Sequence, residues 1–222
     1  MRLPIPATRR YAVLRGLADR VVALRPGQRV AVAVDGFDGA GKTVLADQLA
    51  EVLAADRDVL RVSIDGFHRP AAQRKARGQG PETFYEDSYD YAAFRRAVVD
   101  PFRAGQPVTP AVNDVDADRP VHPVPVSVGP DTLLIVDGIF LQRPELADVW
   151  DATVWVDVPF VVSVPRGNAR FGDGHDPDPE AEPNRRYVGG QRLYLAEADP
   201  RGRATWVVDN TDLDRPVLRQ TS

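Results

Sequence analysis

Residues 30–43 read VAVAVDGFDGAGKT, and no other stretch restricts the fold of this chain as much. The β-branched run Val30, Val32 and Val34 reads as a buried strand. Gly36-Phe37-Asp38-Gly39-Ala40-Gly41-Lys42-Thr43 then matches G-x-x-x-x-G-K-[ST] at every fixed position. A loop of this kind turns its backbone N–H groups inward around phosphate oxygens, which requires glycine wherever a Cβ would block the turn or the approach. Gly36, Asp38, Gly39, Ala40, Gly41, Lys42, Thr43 and Val44 are therefore the expected nucleotide-binding residues. Within them, Lys42 supplies a charge to the β- and γ-phosphates and the Thr43 hydroxyl ligates Mg²⁺, so a nucleoside triphosphate and Mg²⁺ are the expected ligands. Downstream, Leu45, Leu49, Val52 and Leu53 share one helical stripe, so the loop opens a helix whose N-terminal dipole favours anions.

A chain of 222 residues suits one domain, and strands alternating with helices give an α/β P-loop fold. The expected architecture is a parallel sheet of about five strands with helices on both faces. With 28 basic and 32 acidic residues the net charge is −4, and no basic block is present. That balance argues against nucleic acid or an anionic membrane as the main partner. The absence of cysteine excludes disulfides, thiolate metal sites and a cysteine nucleophile. No run approaches the roughly 18 apolar residues of a membrane span. The opening MRLPIPATRRYAV lacks the apolar core of a signal peptide, so the expected location is the cytoplasm. The oligomeric state, homo-oligomer included, stays open.

Residues 1–28 read as an N-terminal helical extension, with Val13, Leu14, Leu17, Val21 and Leu24 near helical spacing. After the cradle helix, residues 59–64 form a second strand that delivers Asp65 within SIDGFHRP. Ligands of open α/β sheets bind beyond the carboxyl ends of the strands, so Asp65 can take the proton of an acceptor hydroxyl and help hold Mg²⁺. An Asx turn with Gly66 is the structural alternative. Residues 69–90 are poor in aliphatic side chains and read as a mobile loop, in which Tyr85 and Tyr89 stand beside carboxylates and Asp90 caps a following helix. Prolines and alternating valines make 105–129 a hairpin excursion from the sheet. The strand TLLIV ends in Asp137, placed to complete the Mg²⁺ shell opposite Thr43. After the strand at 152–158, Arg166 and Arg170 stand four apart on one helix face, either aimed at a transferring phosphoryl group or solvated. Residues 166–184, polar and rich in proline, are the expected lid, and the whole of 1–222 is read as a single P-loop domain.

Taken in order, GFDGAGKT, SIDGFHRP, ETFYEDSYDYAAF, LLIVDGIFL, WVDVPFVVSVPRGNAR and WVVDN resemble the uridine kinase and phosphoribulokinase branch of P-loop kinases, from about Val30 to Asn210. The resemblance implies transfer of the γ-phosphoryl group of ATP to a hydroxyl, with a nucleoside such as uridine or cytidine as first acceptor. It implies Asp65 as general base, Asp137 near Mg²⁺ where the family often has glutamate, and Lys42, Arg166 and Arg170 on the phosphates. Phe67, His68, Tyr85, Tyr89 and Arg119 become the acceptor-side candidates. One departure bears on the acceptor. Uridine kinases usually carry a tyrosine and a histidine before an arginine in the hairpin, and aligning that arginine with Arg119 leaves Val112 and Ala117 in those places. Neither can make the contacts. A sugar, a sugar phosphate or a pantothenate-like compound stays open as acceptor, as does a nucleotide-hydrolysing switch or chaperone-like protein from another class.

Overall fold

The structure is a computed structural model that describes residues 8–172 and 174–220. The reading of the first seven residues, and of Asp173 in the expected lid, lies outside these. β1 (Val30–Gly36) is buried at every position because both of its neighbours are strands and both of its faces are covered. It pairs in parallel with β5 (Leu133–Gly138) on one side and β6 (Ala152–Asp157) on the other. β2 (Val59–Ser63) flanks β5, and β7 (Trp206–Asp209) flanks β6, so five parallel strands end on one edge of the sheet. The register sets Ser63 opposite Asp137 and Asp35 opposite Gly138, which brings three strand ends together at that edge.

A sixth strand, β8 (Val217–Gln220), adds antiparallel to β7 and was not expected from the sequence. It is a four-residue edge strand, too short to show a period-2 pattern. α1 (Arg9–Val22) is capped by Thr8, whose hydroxyl accepts from Tyr11 N, and buries Leu14, Leu17, Ala18 and Val21. It packs on α2 (Lys42–Leu53), which covers β1, β2 and β5. Among the described residues, no helix is long and apolar enough to cross a membrane.

The stretch read as a mobile loop carries α3 (Ala71–Lys75) and α4 (Pro81–Asp87). α4 buries Thr83, Phe84 and Tyr85 against α8 (Arg185–Ala198), with the Phe84 ring edge-on to Phe140 at 5.4 Å. Aromatic burial replaces the aliphatic stripe that was missing from the sequence. Asp90 caps α5 (Tyr91–Phe94) as expected, its Oδ1 accepting from Ala93 N at 2.8 Å. The helix then widens into a π turn over Arg95–Val99 before α6 (Asp100–Ala104). Pro101 has no N–H to give Ala97 O, and that carbonyl accepts from Thr109 N at 2.9 Å instead. The 105–129 excursion is thereby tied back to the domain. Its own pairing is small: β3 (Asn113–Asp114) with β4 (Arg119–Pro120), and a bridge between Val108 and Val126.

Candidate active site

The glycine-rich loop leaves β1 at the carboxyl edge and re-enters α2 at Lys42. Gly39 has φ +73°, and a Cβ built on it would lie 1.9 Å from Ser163 O and 2.7 Å from Gly167 N. The loop thus lies backbone against backbone on α7 (Phe160–Asn168), an approach only glycine permits. Phe37 anchors the other side, stacked on Phe160 at 4.1 Å and edge-on to Trp155 at 5.2 Å. Two side chains from distant elements fix the loop backbone: Gln191 Oε1 accepts from Asp38 N, and Asn210 Nδ2 donates to Ala40 O, both at 2.8 Å. Lys42 Nζ folds back to donate to Phe37 O at 2.8 Å. This ammonium is held over the cradle rather than released to solvent. Burial raises the pKa of the Asp38 carboxyl, against the opposing pull of Lys42.

At the start of α2, Thr43 Oγ1 donates to Asp137 Oδ2 at 2.6 Å. Asp137 Oδ1 accepts from Arg61 Nη2 at 3.0 Å, and the carboxylate is nearly buried. A hydroxyl and a carboxylate in contact beside a phosphate cradle are hard oxygen donors of the kind Mg²⁺ accepts, and they fit that ion. Among the described residues no group of three or more His, Cys, Asp or Glu side chains is arranged so that it could hold a metal ion. Mg²⁺ needs none, since it keeps several waters and takes one or two carboxylates together with substrate phosphates.

Asp65 follows β2 in a 3₁₀ turn over Ile64–Phe67 whose cap is Ser63, with Asp65 N donating to Ser63 Oγ. Its carboxylate is 59% exposed and accepts at Oδ1 from the Tyr89 hydroxyl at 3.0 Å. His68 Nδ1 lies 2.9 Å from Asp65 O. Burial lowers the His68 pKa, so the ring stays neutral and Nδ1–H donates to that carbonyl. On the opposite wall, Arg166 Nη1 donates to Asn210 O at 3.1 Å and Nη2 to Thr211 O. Arg170 lies just past the end of α7, on a 3₁₀ turn over Ala169–Phe171. All of these border one cleft of about 610 Å³: Lys42 and Thr43, Asp65 and Tyr89, Asp137, Arg166 and Arg170.

No family model matches the chain. The pantothenate kinase of Limosilactobacillus reuteri subsp. reuteri (strain JCM 1112) is 31% identical over 141 residues, 57% of this chain and 44% of that protein. The chain therefore spans less than half the length of that relative. A possible uridine kinase from Bacillus stearothermophilus superposes with TM-score 0.73 at 22% identity, covering 90% of this chain and 98% of that one. A putative fructose transport system kinase from Silicibacter sp. TM1040 superposes with TM-score 0.69 at 25% identity, covering 83% and 95%. The chain has the P-loop kinase fold.

Within this P-loop kinase fold, four acceptor-side candidates lie off the cleft. Phe67 is fully buried and packs edge-on against Phe94 at 5.2 Å, so it is a core residue. Tyr85 is buried under the Arg143 guanidinium, which lies 4.1 Å from its ring centroid. His68 stands behind Tyr89, with the two ring centroids 4.4 Å apart. Arg119 is exposed on β4. Tyr89 alone of the five borders the cleft.

The cleft also contains residues the sequence did not single out. Arg10 of α1 donates to Asn210 Oδ1 and Leu213 O, both at 2.9 Å, and to Gln48 Oε1 at 2.8 Å. Burial lowers its pKa, and Leu213 and Asp214 line the cleft beside it. A single arginine in an amphipathic helix carries no local signal for such a role. Beneath the cradle, Asp35 is fully buried, its Oδ1 accepting from Gly36 N at 2.8 Å and its Oδ2 from Gln142 Nε2 at 3.3 Å and from the Tyr194 hydroxyl. Burial pushes its pKa up to about 6.

Proposed function

We propose that this chain is an ATP-dependent small-molecule kinase that transfers the γ-phosphoryl group to a hydroxyl of a small hydroxylated metabolite. One observation carries the reading. An exposed carboxylate, Asp65, faces the same cleft as a phosphate cradle, a hydroxyl–carboxylate pair suited to Mg²⁺ and two arginines. In this reading Lys42 leaves Phe37 O for the phosphates, and Thr43 and Asp137 hold the metal. Mg²⁺, when bound there, would offset the negative charge of the phosphates. Asp65 takes the proton of the acceptor hydroxyl as its oxygen bonds to the γ-phosphorus and the bond to the β-phosphate oxygen breaks. Arg166 and Arg170, which line the same cleft, would offset charge that builds on the transferred group.

A nucleoside and a pantothenate-like compound are the acceptors to separate. The pantothenate kinase relative, at 31% identity, and the presence of Val112 and Ala117 where uridine kinases carry a tyrosine and a histidine both favour the second. The test is incubation with ATP and Mg²⁺ against uridine, cytidine, pantothenate and fructose, with products followed by the mass of one added phosphoryl group. One acceptor should be phosphorylated and should stimulate ADP release. Slow hydrolysis indifferent to every acceptor would favour a nucleotide-hydrolysing switch instead. Asp65→Asn should lower turnover by roughly 10²- to 10⁴-fold with ATP affinity retained, and near-normal turnover would sink the base assignment.

A further inference from the structure

We infer that Tyr89 is a positioning residue for the base, rather than an acceptor contact: its hydroxyl fixes the Asp65 carboxylate in the orientation that receives the proton. The inference rests on the kinase reading above. Asp65 sits on a four-residue turn with its side chain 59% exposed, so the turn alone does not set the carboxylate's rotamer. A base that turns freely in water spends little time aligned with its acceptor, and orientation is worth orders of magnitude in rate. Tyr89 supplies what the turn lacks. It is 2% exposed, and its hydroxyl reaches Asp65 Oδ1 at 3.0 Å.

The backbone around this contact is fixed from both sides. His68 and Tyr89 form an antiparallel bridge, Arg69 N donates to Ser88 O at 3.0 Å, and Asp90 N donates to Phe67 O at 2.9 Å. The Arg69 side chain adds Nε to Tyr89 O at 3.0 Å. Residues 65–69 and 88–90 are therefore one unit, although about twenty residues apart in sequence. Because the phenol is held by this unit, its bond leaves Oδ2 as the oxygen free to take a proton. A carboxylate only accepts, so in this contact the Tyr89 hydroxyl is the donor.

Tyr89→Phe keeps the ring and its packing on His68 and removes only the hydroxyl. With the acceptor found in the panel, kcat should fall about tenfold to a hundredfold. KM for ATP and for the acceptor should stay within about twofold, as expected for a group that acts only on the reacting arrangement. Calorimetric affinity for a non-hydrolysable ATP analogue should be unchanged. Added to Asp65→Asn, the substitution should cost nothing further, because the hydroxyl acts through that carboxylate. A purely structural Tyr89 would instead show a lowered melting temperature and an additive loss. Turnover of Tyr89→Phe within twofold of wild type, or an additive double variant, would overturn the role while leaving the kinase reading intact. A wild-type chain that phosphorylates no acceptor would overturn both.

Discussion

Replacing Asp35 by asparagine removes a carboxyl that lies fully buried at the end of the central strand, directly under the cradle. Burial dominates its pKa, which rises to about 6, whereas an unfolded aspartate titrates near 3.9. A difference of about two units corresponds to about 3 kcal/mol at 1.36 kcal/mol per unit. The folded state thus holds a proton that the unfolded state has released between about pH 4 and pH 6, and stability must fall as pH rises through that window. The contribution is full below the unfolded pKa and lost above the folded one. Asparagine cannot titrate and removes this dependence. It also brings a cost independent of pH, since Asp35 Oδ2 accepts from two donors and an amide has only one oxygen for three. That cost should be about 1–3 kcal/mol. Urea unfolding of both proteins at intervals from pH 4 to pH 8 separates the two effects. The stability of Asp35→Asn relative to wild type should rise by about 2 kcal/mol from pH 4 to pH 7, whatever its starting offset. Parallel pH curves for the two proteins would refute the reasoning, because they would mean that Asp35 titrates in the folded state as it does in the unfolded chain.

Two further substitutions test the cradle itself. Gly39→Ala places a Cβ 1.9 Å from Ser163 O in a backbone of positive φ, so the melting temperature should fall by more than about 5 °C and nucleotide binding should be lost together. A variant of normal stability would show that the loop does not rest on α7 as described. Lys42→Ala should weaken ATP binding by calorimetry and reduce turnover by about a hundredfold or more, and unchanged affinity would count against the cradle as the phosphate site.

The cradle and the strand-end acids were legible in the sequence because each is a local pattern: a glycine spacing, or an apolar run ending in aspartate. The structure brings them to one edge because β2, β5 and β1 are parallel neighbours. What the sequence hid depends on contacts far apart in the chain. Arg10 has a role only because Asn210 and Leu213 come to meet it. Phe67 and Tyr89 are both aromatic residues near Asp65, and only the packing separates a core residue from one that touches the carboxylate. The helices at 71–87 were hidden for another reason. Their burial comes from Thr83, Phe84 and Tyr85, without the repeating aliphatic positions that mark an amphipathic helix.

The bond from Asn210 to Ala40 spans 170 residues, and both neighbours of β1 lie beyond residue 132. A ribosome adding about 5–20 residues per second would emit the glycine-rich loop on the order of ten seconds before the amide that closes it. For more than half of that interval, until β5 emerges, the most recognisable segment of the protein is an unpaired apolar strand, and its loop has nothing to rest on until α7 follows. Nucleotide cannot protect the growing chain, because the site it would bind does not yet exist. It can stabilise only the finished fold, by mass action. A proteolytic cut anywhere between β6 and Asn210 would, for the same reason, reach the cradle without touching its sequence.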